Sequence, residues 1–321
     1  MRGRLFSRGL TPAALVLLSA GLLPQNASAH GFAGDRFFPA TIVVDDPAVA
    51  DELSLPTVAT FKNEDNAQET DISAEWSKRI TEHFGISISP TWTHLAPGGS
   101  GFQNLETTAK YQLITDAKTE FMLSVGFSVE WANTGAASVG AENFNTYSPQ
   151  IFFGKGLGDL PEELNFIRPF AITGQVGYAV PQTGKTVTLS VDPDTQEVDR
   201  EIDRHAHNLE WGLTLQYSLP YLNSHVKAIE GEGAEFMRRL IPLVEASFVT
   251  PVSNFSGPQI TTGTINPGVI WSREAIQIGV EAMIPVNRES GRNVGVIGQL
   301  HFYLDDIFPE TLGKPLFEVE K

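Results

Sequence analysis

The sequence predicts an all-β protein, a transmembrane antiparallel up-and-down β-barrel of about twelve strands. Two observations lead to this prediction. The first is a series of segments in which apolar and polar residues alternate; in residues 121–131, for example, every odd-numbered residue is large and apolar. A period of two is typical of a β-strand with one apolar and one polar face. The second is an export signal, because an exported chain with many such strands is characteristic of a bacterial outer-membrane barrel.

Residues 1–29 have the organisation of a cleavable signal peptide. Three arginines among the first eight residues form a basic start, an apolar stretch follows from Leu10 to Leu23, and residues 27–29 (Ala-Ser-Ala) fit a cleavage site. The apolar stretch is too short to cross a membrane as a helix. We therefore expect cleavage after residue 29, with His30 as the first residue of the mature chain.

The composition excludes several classes of protein. The chain has no cysteine, which excludes disulfides, thiolate metal sites and a lipid-modified N-terminal cysteine. After residue 29 no apolar run is long enough for a transmembrane helix. Loss of the three signal arginines takes the net charge from −16 to −19, and the phosphates of nucleic acid repel so acidic a chain. A barrel stays compatible, because only every second residue of its strands faces lipid.

Alternation along the chain predicts twelve strands, which together place the barrel at residues 54–304. They span 54–63, 70–80, 84–94, 103–115, 118–131, 146–155, 165–180, 204–219, 240–252, 259–272, 275–286 and 293–304. Short turns and longer polar loops alternate between them. This alternation is expected if the turns and both termini are periplasmic and the loops lie outside. The connection 220–239 is the exception, since it is long at a periplasmic position.

The most acidic of the outer loops is predicted at residues 181–203. A solvated surface loop is the simple interpretation. The alternative is binding of divalent cations that bridge lipopolysaccharide phosphates. Asp192-Pro193-Asp194 offers two carboxylates for this purpose but lacks the glycine and the distal glutamate of a calcium loop.

In a barrel the apolar set of each strand faces lipid, and the other set lines the lumen. The ionisable residues on the predicted inner face are candidates for lining a conduit. They are Glu75, Arg79, Glu106, Lys110, Glu120, Glu130, Glu210, Glu245, Glu281 and His301. One interpretation is a hydrogen-bonded network that fills the interior of the barrel. The other is a narrow acidic conduit that favours cations or neutral polar solutes over anions.

Catalytic and cofactor motifs are weak in this sequence. There is no G-x-S-x-G motif and no phosphate-binding loop, so we expect neither an enzyme nor a cofactor. Imidazole is a good copper ligand, which makes His30, His205 and His207 candidate metal ligands. The predicted topology places His30 in the periplasm and the other two at the outer rim, so we expect no metal site.

Two terminal segments fall outside the predicted barrel. Residues 30–53 contain three phenylalanines beside Asp35 and Arg36, and they have three possible positions. The segment could plug the lumen from below, follow the periplasmic rim, or dock a partner. At the other end, residues 305–321 form a predicted periplasmic tail after the last strand.

Several short stretches resemble known exported proteins. They are His30-Gly-Phe-Ala-Gly-Asp-Arg-Phe-Phe-Pro-Ala-Thr-Ile, Asp45-Asp46-Pro47, Ala50-Asp51-Glu52-Leu53-Ser54-Leu55-Pro56 and Leu240-Ile-Pro-Leu-Val-Glu-Ala-Ser-Phe. These stretches are similar to a group of uncharacterised exported proteins of Gram-negative bacteria. More broadly, the chain resembles the outer-membrane transporter-like barrels labelled "MetA-pathway of phenol degradation". That resemblance implies a barrel and uptake of small, often aromatic, compounds, and it implies no catalytic residues.

The sequence therefore predicts a monomeric outer-membrane channel or transporter for small molecules, in contact with membrane lipid and lipopolysaccharide. Three alternatives remain open. The first is a closed barrel with a structural or interaction role that involves the acidic outer loop. The second is a soluble periplasmic β-sandwich, and the third is a copper-binding exported protein.

Overall fold

The computed structural model describes residues 31–191 and 198–317, so the predicted signal peptide and His30 lie outside the described part of the chain. We number the strands β1 to β18 in chain order. The barrel strands are β3 (Glu52–Lys62), β4 (Gln68–Arg79), β5 with β6 (Phe84–Ser89 and Thr91–Ala96), β8 (Leu105–Asp116), β9 (Phe121–Trp131), β10 (Thr146–Gly156), β11 (Phe170–Pro181), β14 (His207–Tyr217), β15 (Leu240–Ser253), β16 (Thr262–Arg273), β17 (Ile276–Pro285) and β18 (Gly295–Tyr303).

Shorter elements join or extend these strands. The additional strands are β1 (Phe32–Ala33), β2 (Arg36–Phe37), β7 (Ser100–Phe102), β12 (Lys185–Val191) and β13 (Val198–Arg204). The α-helical turns are α1 (Leu219–Tyr221), α2 (Ala234–Met237) and α3 (Leu304–Ile307). The 3₁₀ turns are Ala137–Val139 and Glu162–Leu164, and Leu222–Val226 is a π-helical turn. None of the helices in the described ranges is long and apolar enough to span a membrane.

The barrel is closed by antiparallel pairing between its first and last strands. In this pairing Val296 of β18 lies opposite Thr60 of β3, and Tyr303 lies opposite Glu52. Each of the other barrel strands pairs antiparallel with its neighbours in the chain. Pro90 divides one strand into β5 and β6, because proline has no N–H for the ladder. Counting these two as one gives twelve strands, which confirms the predicted fold class and all twelve predicted strand positions.

Large apolar side chains cover the outer face of the barrel, and small or polar ones face inward. Leu213 is 45% exposed while its neighbour Thr214 is fully buried, and Ile278 is 51% exposed while Gln277 is 1% exposed. Comparable alternation recurs on the other strands. A soluble β-sandwich would bury its apolar set in a core, so that alternative is wrong. A closed barrel with an apolar outer band is a protein of the bacterial outer membrane.

The connections correct three details of the sequence prediction. Leu219 and Leu304 were expected on the lipid face, but each begins a helical turn after its strand, and Leu304 is only 6% exposed. Within the predicted loop 181–203, residues 185–191 and 198–203 belong to the antiparallel pair β12–β13, whereas Asp192 and Asp194 lie outside the described residues. Arg36 and residues 312–314 lie at the same end of the barrel, which we call the periplasmic end, following the rule for bacterial barrels.

Candidate functional site

Residues 31–51, which we call the plug segment, contact the inner face of the barrel. Three of its backbone amides donate to wall side chains: Val43 N to Glu245 Oε2 (2.6 Å), Asp45 N to Gln175 Oε1 (3.0 Å) and Val49 N to Gln112 Oε1 (3.1 Å). In the opposite direction, the side chains of Gln277 and Ser124 donate to the carbonyls of Ala40 and Pro47. These five wall residues lie on five of the twelve strands, so the bonds to the segment are distributed around the barrel.

Glycines in the wall make room for the plug segment. A Cβ added at any of four wall glycines would lie within 3.1 Å of a plug side chain. These glycines and the plug residues they face are Gly85 with Val49, Gly154 with Phe38, Gly212 with Val44 and Gly279 with Ile42. Real Cβ atoms rarely approach other heavy atoms so closely, so the wall is shaped to this segment. Phe38 and Val44 are consequently almost fully buried.

The plug segment is fastened at its N-terminal side by Arg36, in a group of contacts that we call the Arg36 clasp. The guanidinium Nε donates to Glu120 Oε2 at 3.0 Å, and its other nitrogens donate to the carbonyls of Arg168 and Pro169. Its carbon lies 3.9 Å from the ring centroid of Tyr221, a cation–π contact. Burial lowers the pKa of Arg36, but arginine stays charged in proteins.

The Arg36 clasp accounts for the long connection at 218–239. Tyr221 lies in α1 of this connection and is 5% exposed. The next turn brings His225 Nε2 to 3.5 Å from Asp35 Oδ2. The connection is therefore long because it folds back against the plug segment. The sequence pattern offers no sign of this contact.

The plug segment is fastened at its C-terminal side by Asp51, in a second group of contacts that we call the Asp51 clasp. Asp51 is fully buried. Its Oδ1 accepts from Lys78 Nζ at 2.6 Å, and its Oδ2 accepts from Arg79 Nε at 2.7 Å. Arg79 N also donates to Oδ1 at 2.9 Å. A buried carboxylate needs such compensation, since an unpaired buried charge is strongly unfavourable.

Lys110 holds the middle of the plug segment. Its Nζ donates to Asp45 Oδ2 at 2.7 Å and to the carbonyl of Asp46 at 2.9 Å, and it lies 4.4 Å from the Phe152 ring centroid. Burial raises the pKa of Asp46 to about 7, although the positive charge of Lys110 opposes this shift. The protonation state of the Asp46 carboxyl therefore changes near neutral pH.

Beside the plug segment the lumen retains a polar cavity of about 140 Å³. Its acidic lining comes from Asp45 and Asp46 of the plug segment and from Glu52 and Glu75 of the wall. His301 also lines it, with Nδ1 at 2.9 Å from Ser54 Oγ and Nε2 at 3.4 Å from Glu52 Oε2. Ligand pockets are typically roughly 300–1,000 Å³, so this cavity is narrow for an organic solute.

A second acidic group lies on strands that continue toward the outer mouth. Glu106 of β8 stands directly opposite Glu130 of β9. Glu75, Glu130 and Glu210 all lie close enough to Glu106 to act on it electrostatically. Asn104 donates to Glu130 Oε1 at 3.0 Å. We call these four glutamates the acidic ring. Their hydrogen bonds in the described residues go to wall side chains, and their carboxylates face the lumen.

The predicted inward residues thus divide by position. Lys110 and Glu245 bind the plug segment inside the barrel, whereas Arg79 and Glu120 bind it at the periplasmic end. Glu120 belongs to the turn before β9, with a φ of 50°, rather than to the strand that the sequence predicts. Glu281 is 2% exposed and acts electrostatically on Glu245 from a neighbouring position.

Several residues that hold the plug segment are not among the candidates that the sequence pattern indicated. Besides Asp51 and Lys78, these are the uncharged wall residues Gln112, Ser124, Gln175 and Gln277. Their inward position follows from strand alternation, so the signal was present. It was overlooked because only ionisable residues were considered as candidates for the lumen.

The candidate copper ligands have separate partners. His205 Nε2 lies 2.8 Å from Thr186 Oγ1, and its ring packs on Phe144 with centroids 4.0 Å apart. His207 Nδ1 lies 3.3 Å from the Tyr178 hydroxyl. His30 lies outside the described residues. Within residues 31–191 and 198–317, no group of three or more His, Cys, Asp or Glu side chains could hold a metal ion.

Comparison with known proteins finds structures with a similar fold. No family model matches the sequence, and no curated protein matches it. An outer-membrane channel from Pseudomonas putida F1 matches with a TM-score of 0.52 and 10% identity, over 83% of this chain and 99% of that chain. The KdgM porin matches with a TM-score of 0.46 and 12% identity, over 78% and 98% of the two chains.

A third match is the β-domain of the autotransporter BrkA from Bordetella, with a TM-score of 0.43 and 11% identity, over 79% of this chain and 99% of that chain. At such low identity, structural likeness shows the fold alone. The fold and its apolar outer band make the chain an outer-membrane β-barrel. The resemblance to the phenol-degradation type stays an expectation from the sequence.

Proposed function

We propose that the protein is an outer-membrane channel for small solutes that the plug segment closes at rest. The observation that carries this proposal is the fit between residues 31–51 and the wall, which combines side-chain hydrogen bonds with glycine recesses. Similarity of fold to an outer-membrane channel supports it. Both clasps lie at the periplasmic end, so the segment can leave the lumen in that direction without disturbing the barrel strands.

We further propose that the open channel favours cations and neutral solutes over anions. The acidic ring and Glu52 belong to the wall, so they stay in the lumen when the plug segment leaves it. Lys110 is the wall cation near them, and Asp45 neutralises it in the closed state. Rings of acidic side chains favour cations in channels. Uptake of small aromatic compounds, which the family resemblance implies, fits this lumen best if the compounds are uncharged or cationic.

Deletion of residues 31–50 tests the proposal. The barrel strands and the Asp51 clasp stay intact in this variant, and heat-modifiable migration on a gel reports whether the barrel has folded. In planar bilayers we expect the full-length mature barrel to be mostly closed and the deletion variant to be open and cation-selective. A folded deletion variant that gives no current would overturn the channel proposal.

A silent deletion variant would instead favour the second candidate function, a closed barrel with a structural or interaction role. This function is supported by the number of wall side chains that form hydrogen bonds with the plug segment, because a permanently filled lumen needs such bonds. The hairpin β12–β13 would then be the contact element outside the membrane. Its acidic residues Glu201 and Asp203 are exposed at the end of the barrel away from the termini.

A further inference from the structure

The two cations of the Asp51 clasp also bind the C-terminal tail. Lys78 Nζ donates to the carbonyls of Leu312 at 2.8 Å and Lys314 at 2.5 Å, in addition to Asp51. Arg79 Nη2 donates to the carbonyl of Gly313 at 2.7 Å. Each cation therefore lies between the plug segment on one side and tail carbonyls on the other.

The tail is held in place by backbone contacts as well. Leu304 N donates to the carbonyl of Asp51 at 2.8 Å, directly at the end of the plug segment. Farther along, Leu316 N donates to the Arg79 carbonyl at 3.2 Å and Phe317 N to the Ile80 carbonyl at 2.9 Å. Residues 304–317, which we call the tail, thus enclose the Asp51 clasp.

From this arrangement we infer that the tail is a lock on the plug segment. The proposal rests on the plugged channel proposed above and adds the element that controls release. The tail carbonyls fix both cations in the positions that Asp51 needs, and they shield the ion pairs from water. When the tail is displaced, Lys78 and Arg79 gain access to water, and a solvated ion pair contributes much less than a buried one. Asp51 is then released more easily, and the C-terminal side of the plug segment leaves the lumen more often.

A substitution in the tail alone tests this coupling. A Cβ at Gly313 would lie 2.2 Å from the Asp305 Cα and 2.9 Å from its N, so Gly313→Val displaces the tail without touching the plug segment or the strands. The matched control is Glu310→Ala, which removes only the exposed pair between Glu310 and Lys314.

The readout is labelling of a cysteine placed at Val44, which is fully buried in the lumen. The natural chain has no cysteine, so a charged maleimide reports the release of the plug segment at this position alone. We expect Gly313→Val to raise the labelling rate by about tenfold, as loss of one bond to a charged group would do. Glu310→Ala should leave the rate unchanged. Equal rates in Gly313→Val and the unsubstituted chain would overturn the lock.

A second variant keeps the test decisive if Gly313→Val fails to assemble. Truncation after Thr311 removes the three tail carbonyls that Lys78 and Arg79 bind, while Asp51 and both cations keep their own contacts. We expect faster labelling at Val44→Cys in this variant too, and an unchanged rate would overturn the lock. Conductance of the 31–50 deletion separates the two proposals. If that variant conducts while both tail variants label at the original rate, the channel stands and the lock fails; if it is silent, the channel proposal fails.

Discussion

The two halves of the lumen use the same strand pattern for different purposes. In the periplasmic half, inward polar residues such as Lys110, Glu245 and Gln175 bind the backbone of the plug segment. Toward the outer mouth, Glu106, Glu130 and other inward glutamates face the lumen and one another. Alternation places all of them inside. The two halves differ in whether the plug segment contacts these residues. A charged residue that faces the lumen is therefore not necessarily one that a passing solute contacts.

The largest expected effect is loss of the Arg36 clasp. Arg36→Met leaves the buried Glu120 without its cationic partner, with the Gly158 amide still donating to Oε2, and breaking a buried ion pair costs about 3–5 kcal/mol. We expect frequent opening in planar bilayers and strong labelling at Val44→Cys. The matched control is Arg292→Met, because the Arg292 side chain donates to the Glu64 carbonyl at the opposite end of the barrel. A channel that stays closed in Arg36→Met would show that this clasp does not hold the plug segment.

A smaller effect should follow from filling a recess in the wall. The added side chain of Gly279→Val would meet Ile42 Cδ1, since even its Cβ would lie 2.7 Å away. Overpacking costs about 1–3 kcal/mol, so we expect partial release, measured as faster labelling at Val44→Cys. Gly298→Ala is the control, because the nearest atom to its added Cβ is 3.6 Å away. Equal labelling in both variants would argue that the plug segment does not occupy these recesses.

Substitutions in the acidic ring should change ion selectivity without releasing the plug segment. In the 31–50 deletion variant, Glu106→Gln with Glu210→Gln removes two carboxylates that face the lumen. We expect the reversal potential in a salt gradient to shift toward that of a non-selective pore, since the acidic charges attract cations. In the full-length chain the same pair of substitutions should leave labelling at Val44→Cys unchanged. An unaltered reversal potential would show that the ring lies off the conducting path.

The smallest expected effect is a dependence on pH through Asp46. Its pKa is about 7 in the docked plug segment because of burial, whereas a released, solvated aspartate has a pKa of about 3.9. A group with a raised pKa stabilises docking at low pH, and this contribution is lost as the pH rises through about 7. Asp46 faces Asp45 on its own segment, Lys110 on β8, Glu75 on β4 and Glu52 on β3.

We therefore expect opening to become more frequent as the pH rises from about 4 to about 7, with little further change above pH 7. Asp46→Asn should flatten this dependence, because an amide does not titrate in this range. Open probability recorded at several pH values checks both statements. A slope that persists in Asp46→Asn would assign the titration to one of the neighbouring groups.

The sequence was sufficient for the fold because the lipid face imposes a local rule. Alternation of the kind seen around Leu213 and Ile278 depends only on adjacent residues, so the twelve strands could be read from the chain. The inward position of Gly212 and Gly279 followed from the same rule. In contrast, the contact of Lys110 with Asp45 joins residues 65 positions apart, and no local pattern encodes such a pairing.

The candidate site was predictable only in part, because contacts between residues far apart in the chain leave no local pattern. Apart from the short pairing of β1 with β2, residues 31–51 contain no periodic pattern, because wall side chains rather than a regular ladder satisfy their backbone. The sequence could therefore propose a plug but could not choose it over a position along the rim. The roles of Tyr221 and of the tail carbonyls depend on packing between distant elements, and both were missed.

A disulfide between the plug segment and the wall tests directly whether solutes pass through the space that the plug segment fills. The Cβ of Gly212 would lie 2.8 Å from Val44 Cγ2, so Val44→Cys with Gly212→Cys can form a disulfide between the middle of the plug segment and the wall. Single-channel current is recorded in the Arg36→Met background before and after reduction. We expect no current in the oxidised channel and cation-selective openings after reduction. The same current in both states would contradict it.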